Sequence, residues 1–209
     1  MNTSVSDRSF ELAWTHSQVE LRYLNMTASQ ANIYQTIAAQ ILYQAAPNSW
    51  KQEVIAENKR GITALWSYGI SGDLPIVVVR VSKLEHTELA KQMLTAHEYL
   101  RLKGLSFDLV LLNEYGNSYE QPLQEKLNEI VAISHARNLL DKMGGVFLLQ
   151  SSNIPQEDIK LLLAAAKLNI SGDGGTLISQ LEVKEARRPI ERIKGRDADY
   201  RLLEDVKLE

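Results

Sequence analysis

Breaking a glycosidic bond by the usual route takes two carboxyl groups flanking it. Asp73 and Glu114 are the acids that fall in loops beside expected strand ends, and Asp73 precedes its strand whereas Glu114 follows one. A sheet would hold the two apart, so an internal hydrolase is not expected. His16, His86, His97 and His135 are scattered over three expected helices, and none has a second histidine or an acid at ligand spacing on one helical face. No metal is expected. His97 and Glu98, adjacent on a helix and so about 100° apart, read as a pair at the solvent edge. The chain has no cysteine, which removes thiolate sites, cysteine nucleophiles and disulfides. A phosphate loop needs closely spaced glycines, but the turn after the first expected strand is Ser82-Lys83-Leu84-Glu85, so no nucleotide cofactor is expected.

What remains is a set of groups suited to hydrogen bonding and stacking. Open parallel sheets take their ligands beyond the carboxyl ends of the strands. That rim would carry Ser82; then Asn113, Glu114, Tyr115, Asn117 and Tyr119; then Gln150, Ser151, Ser152 and Asn153. Amides, hydroxyls and tyrosines contact sugars in this way, although ordinary strand-to-helix turns are polar for backbone reasons too.

The elements that would position these groups follow from periodicity. Residues 7–25 repeat apolar positions at Phe10, Trp14, Leu21 and Leu24, with Asp7 or Ser9 as a cap. Residues 29–44 repeat them at Ile33, Ile37 and Ile41 and stop before Pro47. Both segments read as helices, with Trp14 and Trp50 as packing residues. The β-branched run at 74–81 reads as a strand covered on both faces, followed by a helix over 85–103 that Gly104 ends. Further strands are expected at 107–112 and 146–149, with helices at 122–140 and 155–168 and a short edge strand at 176–181. Strands joined by helical crossovers must lie parallel, with helices on both sides. The expected class is three-layer α/β, a mostly parallel sheet of three to five strands. The tetrapeptide Ile-Ser-Gly-Asp occurs at 70–73 and again at 170–173, but the flanks differ and the repetition reads as coincidence.

The expected organisation is an N-terminal helical segment over 1–60, an α/β core over 61–181 and a charged linker or arm over 182–209. Those last 28 residues hold eight basic and eight acidic side chains, too few apolar groups for a core of their own. Over the whole chain, 23 basic and 26 acidic residues give a net charge of −3, which argues against nucleic acid as a partner. Apolar runs fall far short of the roughly 20 residues that span a bilayer, so no direct membrane insertion is expected.

Three stretches carry a resemblance: Asp7-Arg8-Ser9-Phe10-Glu11-Leu12-Ala13-Trp14-Thr15-His16-Ser17-Gln18-Val19-Glu20-Leu21-Arg22, Leu65-Trp66-Ser67-Tyr68-Gly69-Ile70-Ser71-Gly72-Asp73-Leu74-Pro75 and Ala96-His97-Glu98-Tyr99-Leu100-Arg101-Leu102-Lys103-Gly104. Together they resemble cyclic β-1,2-glucan synthases of the NdvB type, within their glycoside phosphorylase half, formerly grouped as glycosyltransferase family 36. The resemblance implies a fragment of a large inner-membrane protein, placed on its cytoplasmic side and docked on neighbouring domains of the same polypeptide. The family's phosphorylase chemistry implies an (α/α)-barrel and a β-sandwich, neither recognisable here, so no catalytic residue carries over. Two readings follow: a non-catalytic accessory domain, or a carbohydrate-binding module for β-1,2-glucan or a sugar nucleotide. For the second, the candidate contacts are Trp66, Tyr68, Asn113, Glu114, Tyr115, Ser151 and Asn153. The loop around Trp66 reads either as structural or as a sugar-stacking platform.

Overall fold

A computed structural model of the chain describes residues 3–43, 49–116 and 121–181. Its centre is a sheet of four parallel strands, β1 (Ile76–Val81), β2 (Asp108–Asn113), β3 (Val146–Gln150) and β4 (Leu168–Ser171), in the spatial order β3-β2-β1-β4. Seven α-helices accompany it among the described residues: α1 (Thr3–Tyr23), α2 (Ala28–Leu42), α3 (Ser49–Glu57), α4 (Thr87–Leu102), α5 (Pro122–Ile133), α6 (Gln156–Ala165) and α7 (Leu177–Leu181). The expected class, a parallel sheet between helical layers, is what the chain adopts.

Alternation along the strands decides which layer covers which face. Val77, Val79, Val81, Leu109, Leu111, Leu168 and Ile170 join residues of α2, α4, α5 and α7 in one buried cluster. Ile76, Val78, Val110, Leu112 and Phe147 join α6 and the residues around a 3-10 helix, Ile62–Tyr68, in a second. Both faces are buried, which is why residues 76–79 of β1 and 109–112 of β2 read as continuous apolar runs rather than as alternating ones. The chain steps from β1 to β2 to β3 in one direction and then returns across the sheet to β4. Right-handed crossovers oblige the connecting helix to change sides at that reversal, and α6 does so.

Several local expectations are corrected. The helix expected over 122–140 ends at Ile133, because Ser134 accepts from the Ala136 backbone N–H at 3.1 Å and its hydroxyl donates to the Val131 carbonyl at 2.8 Å, turning the chain. The strand expected at 176–181 is helix α7: the Thr176 hydroxyl accepts from the Ser179 N–H at 3.3 Å, a helix N-cap. The fourth strand lies instead at Leu168–Ser171, inside what reads as the end of a helix and a loop, and the helix before it stops at Ala165. Helix α2 begins one residue early, with Thr27 and Gln30 forming a reciprocal capping box. Asp7 and Ser9 lie within α1 and do not cap it. Its residue Trp14 is 68% exposed, so it is not a core residue, since only the last turns of α1, at Glu20 and Leu21, reach the body. Trp50 is exposed as well. The two Ile-Ser-Gly-Asp segments fall in different settings, Ile70 before β1 in the second cluster and Ile170 within β4 in the first. The charged segment 182–209 lies outside the described residues.

His97 and Glu98 are both buried rather than at the solvent edge. His97 Nε2 donates to the carbonyls of Phe107 and Gly144 at 3.2 and 3.1 Å. Glu98 is held by Arg101 through two bonds of 2.9 and 2.8 Å. Beside this pair, Asp108 accepts from the Gly144 N–H at 2.7 Å through one oxygen, while its other oxygen is buried without a partner. Burial pushes the Asp108 carboxyl above its ordinary value of 3.8, the Gly144 bond opposes that, and the charge of Asp73 adds to it. A carboxyl raised in this way binds its proton more tightly folded than unfolded. Its stabilising contribution is therefore present below pH 3.8 and lost as pH climbs through the raised folded value. Asp108→Asn keeps the acceptor for Gly144 and removes the charge. Urea unfolding at pH 7 should show a more stable protein, and this loss between acid and neutral pH should be gone.

Candidate functional site

The point where strand order reverses lies between the carboxyl ends of β1 and β4. Ser82 and Lys83 leave β1 there, and Gly172 and Asp173 leave β4. The Ser82 hydroxyl donates to Asp173 Oδ2 at 2.8 Å and Lys83 Nζ donates to Oδ1 at 2.5 Å. His86, one turn further on, uses Nδ1 to accept from the Ser82 backbone N–H at 3.3 Å. That leaves Nε2 carrying the ring proton, 3.7 Å from Asp173 Oδ1. Hydrogen bonds from Lys83 and then Ser82 hold the Asp173 carboxyl below its usual range. The Asp173 bond in turn holds the Lys83 ammonium above its own.

Glycine at 172 makes this arrangement possible. A Cβ there would stand 2.1 Å from His86 Nδ1, inside the ring itself. The loop is fixed from behind by Gln180, which accepts from the Ser171 N–H and donates to the Ser171 carbonyl, both at 2.8 Å. Gly172→Ala should therefore expel the His86 ring from its nine-tenths buried position. Nuclear magnetic resonance would read this as loss of the Ser82 amide hydrogen bond, with a fall in stability of about 1–3 kcal/mol from the forced repacking.

The remaining rim residues sort onto different faces of the sheet. Asn113 ends β2 on the α5 side, where its Nδ2 donates to Gln124 at 2.9 Å and its Oδ1 accepts from the Tyr115 N–H at 2.9 Å. That side chain shapes its own turn. Tyr115 packs against the first cluster. Glu114 meets the Arg80 guanidinium at 2.9 Å. Ser151 and Asn153 sit in a 3-10 turn after β3, where Asn153 donates to Gln150 at 3.3 Å and the Ser151 carbonyl accepts from the Ile154 N–H. Asn117 and Tyr119 fall outside the described residues.

Trp66 and Tyr68 belong to the opposite layer, on the 3-10 helix packed against α6. The Tyr68 hydroxyl donates to Asp158 Oδ2 at 2.8 Å, and Arg60 bonds the other oxygen of the same carboxylate. Arg60 also reaches Glu157 at 3.2 Å. Burial first, and then the Asp158 bond, raise the Tyr68 hydroxyl above its usual value. Trp66 is 62% exposed, yet its indole N–H donates to the Ser71 carbonyl at 3.1 Å, so the ring is open on a face and fixed at its edge.

The sequence reading places Ser82 at this rim but misses His86, Asp173, Asp158 and Arg60. Asp173 lies in the repeated tetrapeptide, and the repetition was its only flag. Only the pairing of β4 with β1 brings residues 90 or so positions apart together. Three carboxylates at this end of the described structure stand in separate ion pairs: Glu114 with Arg80, Asp173 with Lys83, Asp158 with Arg60. Asp73 lies at the other end of the sheet, as expected, its charge felt by Asp108 at the start of β2.

No family model matches the chain. Over 170 residues it is 30% identical to the cyclic β-(1,2)-glucan synthase NdvB of Rhizobium meliloti (strain 1021), an alignment that covers 81% of this chain. The chain is a distant relative of NdvB. It spans 6% of that protein's length, so the similarity concerns one segment of a much larger synthase. The glucan-synthase relationship expected from the Asp7, Trp66 and His97 stretches thus stands, and it reaches well beyond them. Among the described residues no helix is long and apolar enough to cross a membrane.

Proposed function

We propose that this NdvB-related chain is an accessory domain without bond-breaking chemistry, docked on neighbouring domains of a larger glucan synthase polypeptide on its cytoplasmic side. The observation that supports it most is the state of the rim carboxylates. A general acid needs an environment that keeps its proton and a partner acid across the bond. Here Glu114 is ion-paired with Arg80 at 2.9 Å, with no second acid facing it across a cleft among the described residues. Asp173 and Asp158 are ion-paired with Lys83 and Arg60 in two other places. In a synthase polypeptide carrying this segment, Glu114→Gln should leave glucan turnover within about twofold of the parent, where loss of a true acid or base costs about 10²–10⁴. A hundredfold loss would reject the accessory reading.

One observation favours a second reading, carbohydrate binding. A rigid indole face exposed to solvent is a stacking platform for a sugar ring, and Trp66 is such a face. If it is used, titration calorimetry with β-1,2-linked glucan should give a saturable signal that Trp66→Ala abolishes. Asn113→Ala should leave that signal intact, because Asn113 is committed to its own turn on the other layer. An identical isotherm for Trp66→Ala, or no heat at all, removes this reading.

A further inference from the structure

We propose that Ser82, Lys83 and His86 form a binding site for a phosphate group, free or as a monoester, and that Asp173 occupies it in the unliganded chain. The lining consists of donors: the Ser82 hydroxyl, the Lys83 ammonium and the His86 Nε2–H converge on one carboxylate at 2.8, 2.5 and 3.7 Å. Such a set, with a lysine and a hydroxyl among it, matches an oxyanion's acceptor oxygens. Its position is the reversal of strand order at the carboxyl ends of β1 and β4, where open sheets of this kind form their ligand crevice.

Asp173 fits the part of a displaceable internal ligand. Its side chain is 54% exposed and sits between Gly172 and Gly174, with Gly175 following at φ +85°. The rest of the site is held firmly: the His86 side chain is only 10% exposed, packed on Gly172, and Gln180 ties down Ser171. An incoming anion would take over donors already pointed at a negative charge and release Asp173 to solvent. The carboxylate therefore acts as a competitor, and its removal leaves Lys83 without its hydrogen-bonded counter-ion, with only the more distant charge of Glu85 beside it.

The test is a titration of the full chain with inorganic phosphate, followed through amide shifts of Ser82, Lys83 and His86. A parallel titration with glycerol 3-phosphate distinguishes a free anion from an esterified one. Asp173→Ala should bind at least one of the two about tenfold more tightly than the unaltered chain, since the occupied fraction of the site no longer opposes the ligand. Adding Lys83→Met should abolish the shifts. Thermal unfolding of each variant checks that it is folded. Should Asp173→Ala fail to fold, Lys83→Met alone must weaken the shifts seen with the unaltered chain. No shifts with either anion, equal affinity with and without Asp173, or binding indifferent to Lys83 would each overturn the proposal.

Discussion

Gly145→Ala should cost at least about 4 kcal/mol, the range reserved for a few severe mechanisms. Gly145 stands in the turn that delivers the chain into β3. A Cβ there would lie 2.0 Å from the Leu139 carbonyl oxygen and 2.8 Å from that of Lys142. Both obstacles are backbone, so no side-chain rotation relieves them. The same turn is tied into the sheet, because the Gly145 carbonyl accepts from the Leu109 N–H of β2 at 2.9 Å and its own N–H donates to Lys142 at 2.9 Å. Moving the turn to admit a methyl group therefore breaks the ladder between β2 and β3. Circular dichroism during urea unfolding should show a chain largely unfolded without denaturant. A variant within about 1 kcal/mol of the parent, each unfolding curve fitted with its own slope, would mean that the turn is built differently.

The second large effect concerns the layer on the far side of the sheet. Phe147 is fully buried in β3 and projects into the cluster formed with α6 and the 3-10 helix. Gly69 packs beside it, where a Cβ would make an ordinary contact of 3.5 Å with the Phe147 ring, and its φ of +77° is what calls for glycine. Phe147→Ala should cost about 3–5 kcal/mol, the sum of lost transfer energy and the cavity left behind. Hydrogen exchange locates the damage: amides of α6 and β3 should lose protection first, while α4 and α5, which rest on the first cluster, should lose it later. Equal loss over both layers would show that the two clusters do not act as separate packing units.

The central strands were readable because each carries a run of branched or apolar residues that only a sheet buried on both faces can accommodate. Val77, Val78 and Val79 belong to two different clusters, yet all are fully buried. Strand β4 was not readable, because its four residues include Asn169 and Ser171 and extend the apolar spacing of α6. Its existence depends on a site beside β1 that the sequence does not display. The same gap hid the cluster at the strand reversal: Ser82 is visible as a strand-end residue, but Asp173 becomes its partner only once β4 is in place. Likewise, the amphipathic spacing of Phe10 and Trp14 is real, although α1 carries both beyond the body of the domain and leaves them exposed. Helical period specifies a face, not what covers it.

The proposed accessory role carries no bond-making or bond-breaking step on this chain. Its most direct test incubates the purified chain with β-1,2-linked glucan, with and without inorganic phosphate, and measures released reducing ends and sugar phosphate. No turnover above the rate without protein is expected. Release that scales with the amount of chain and disappears in Glu114→Gln would contradict it.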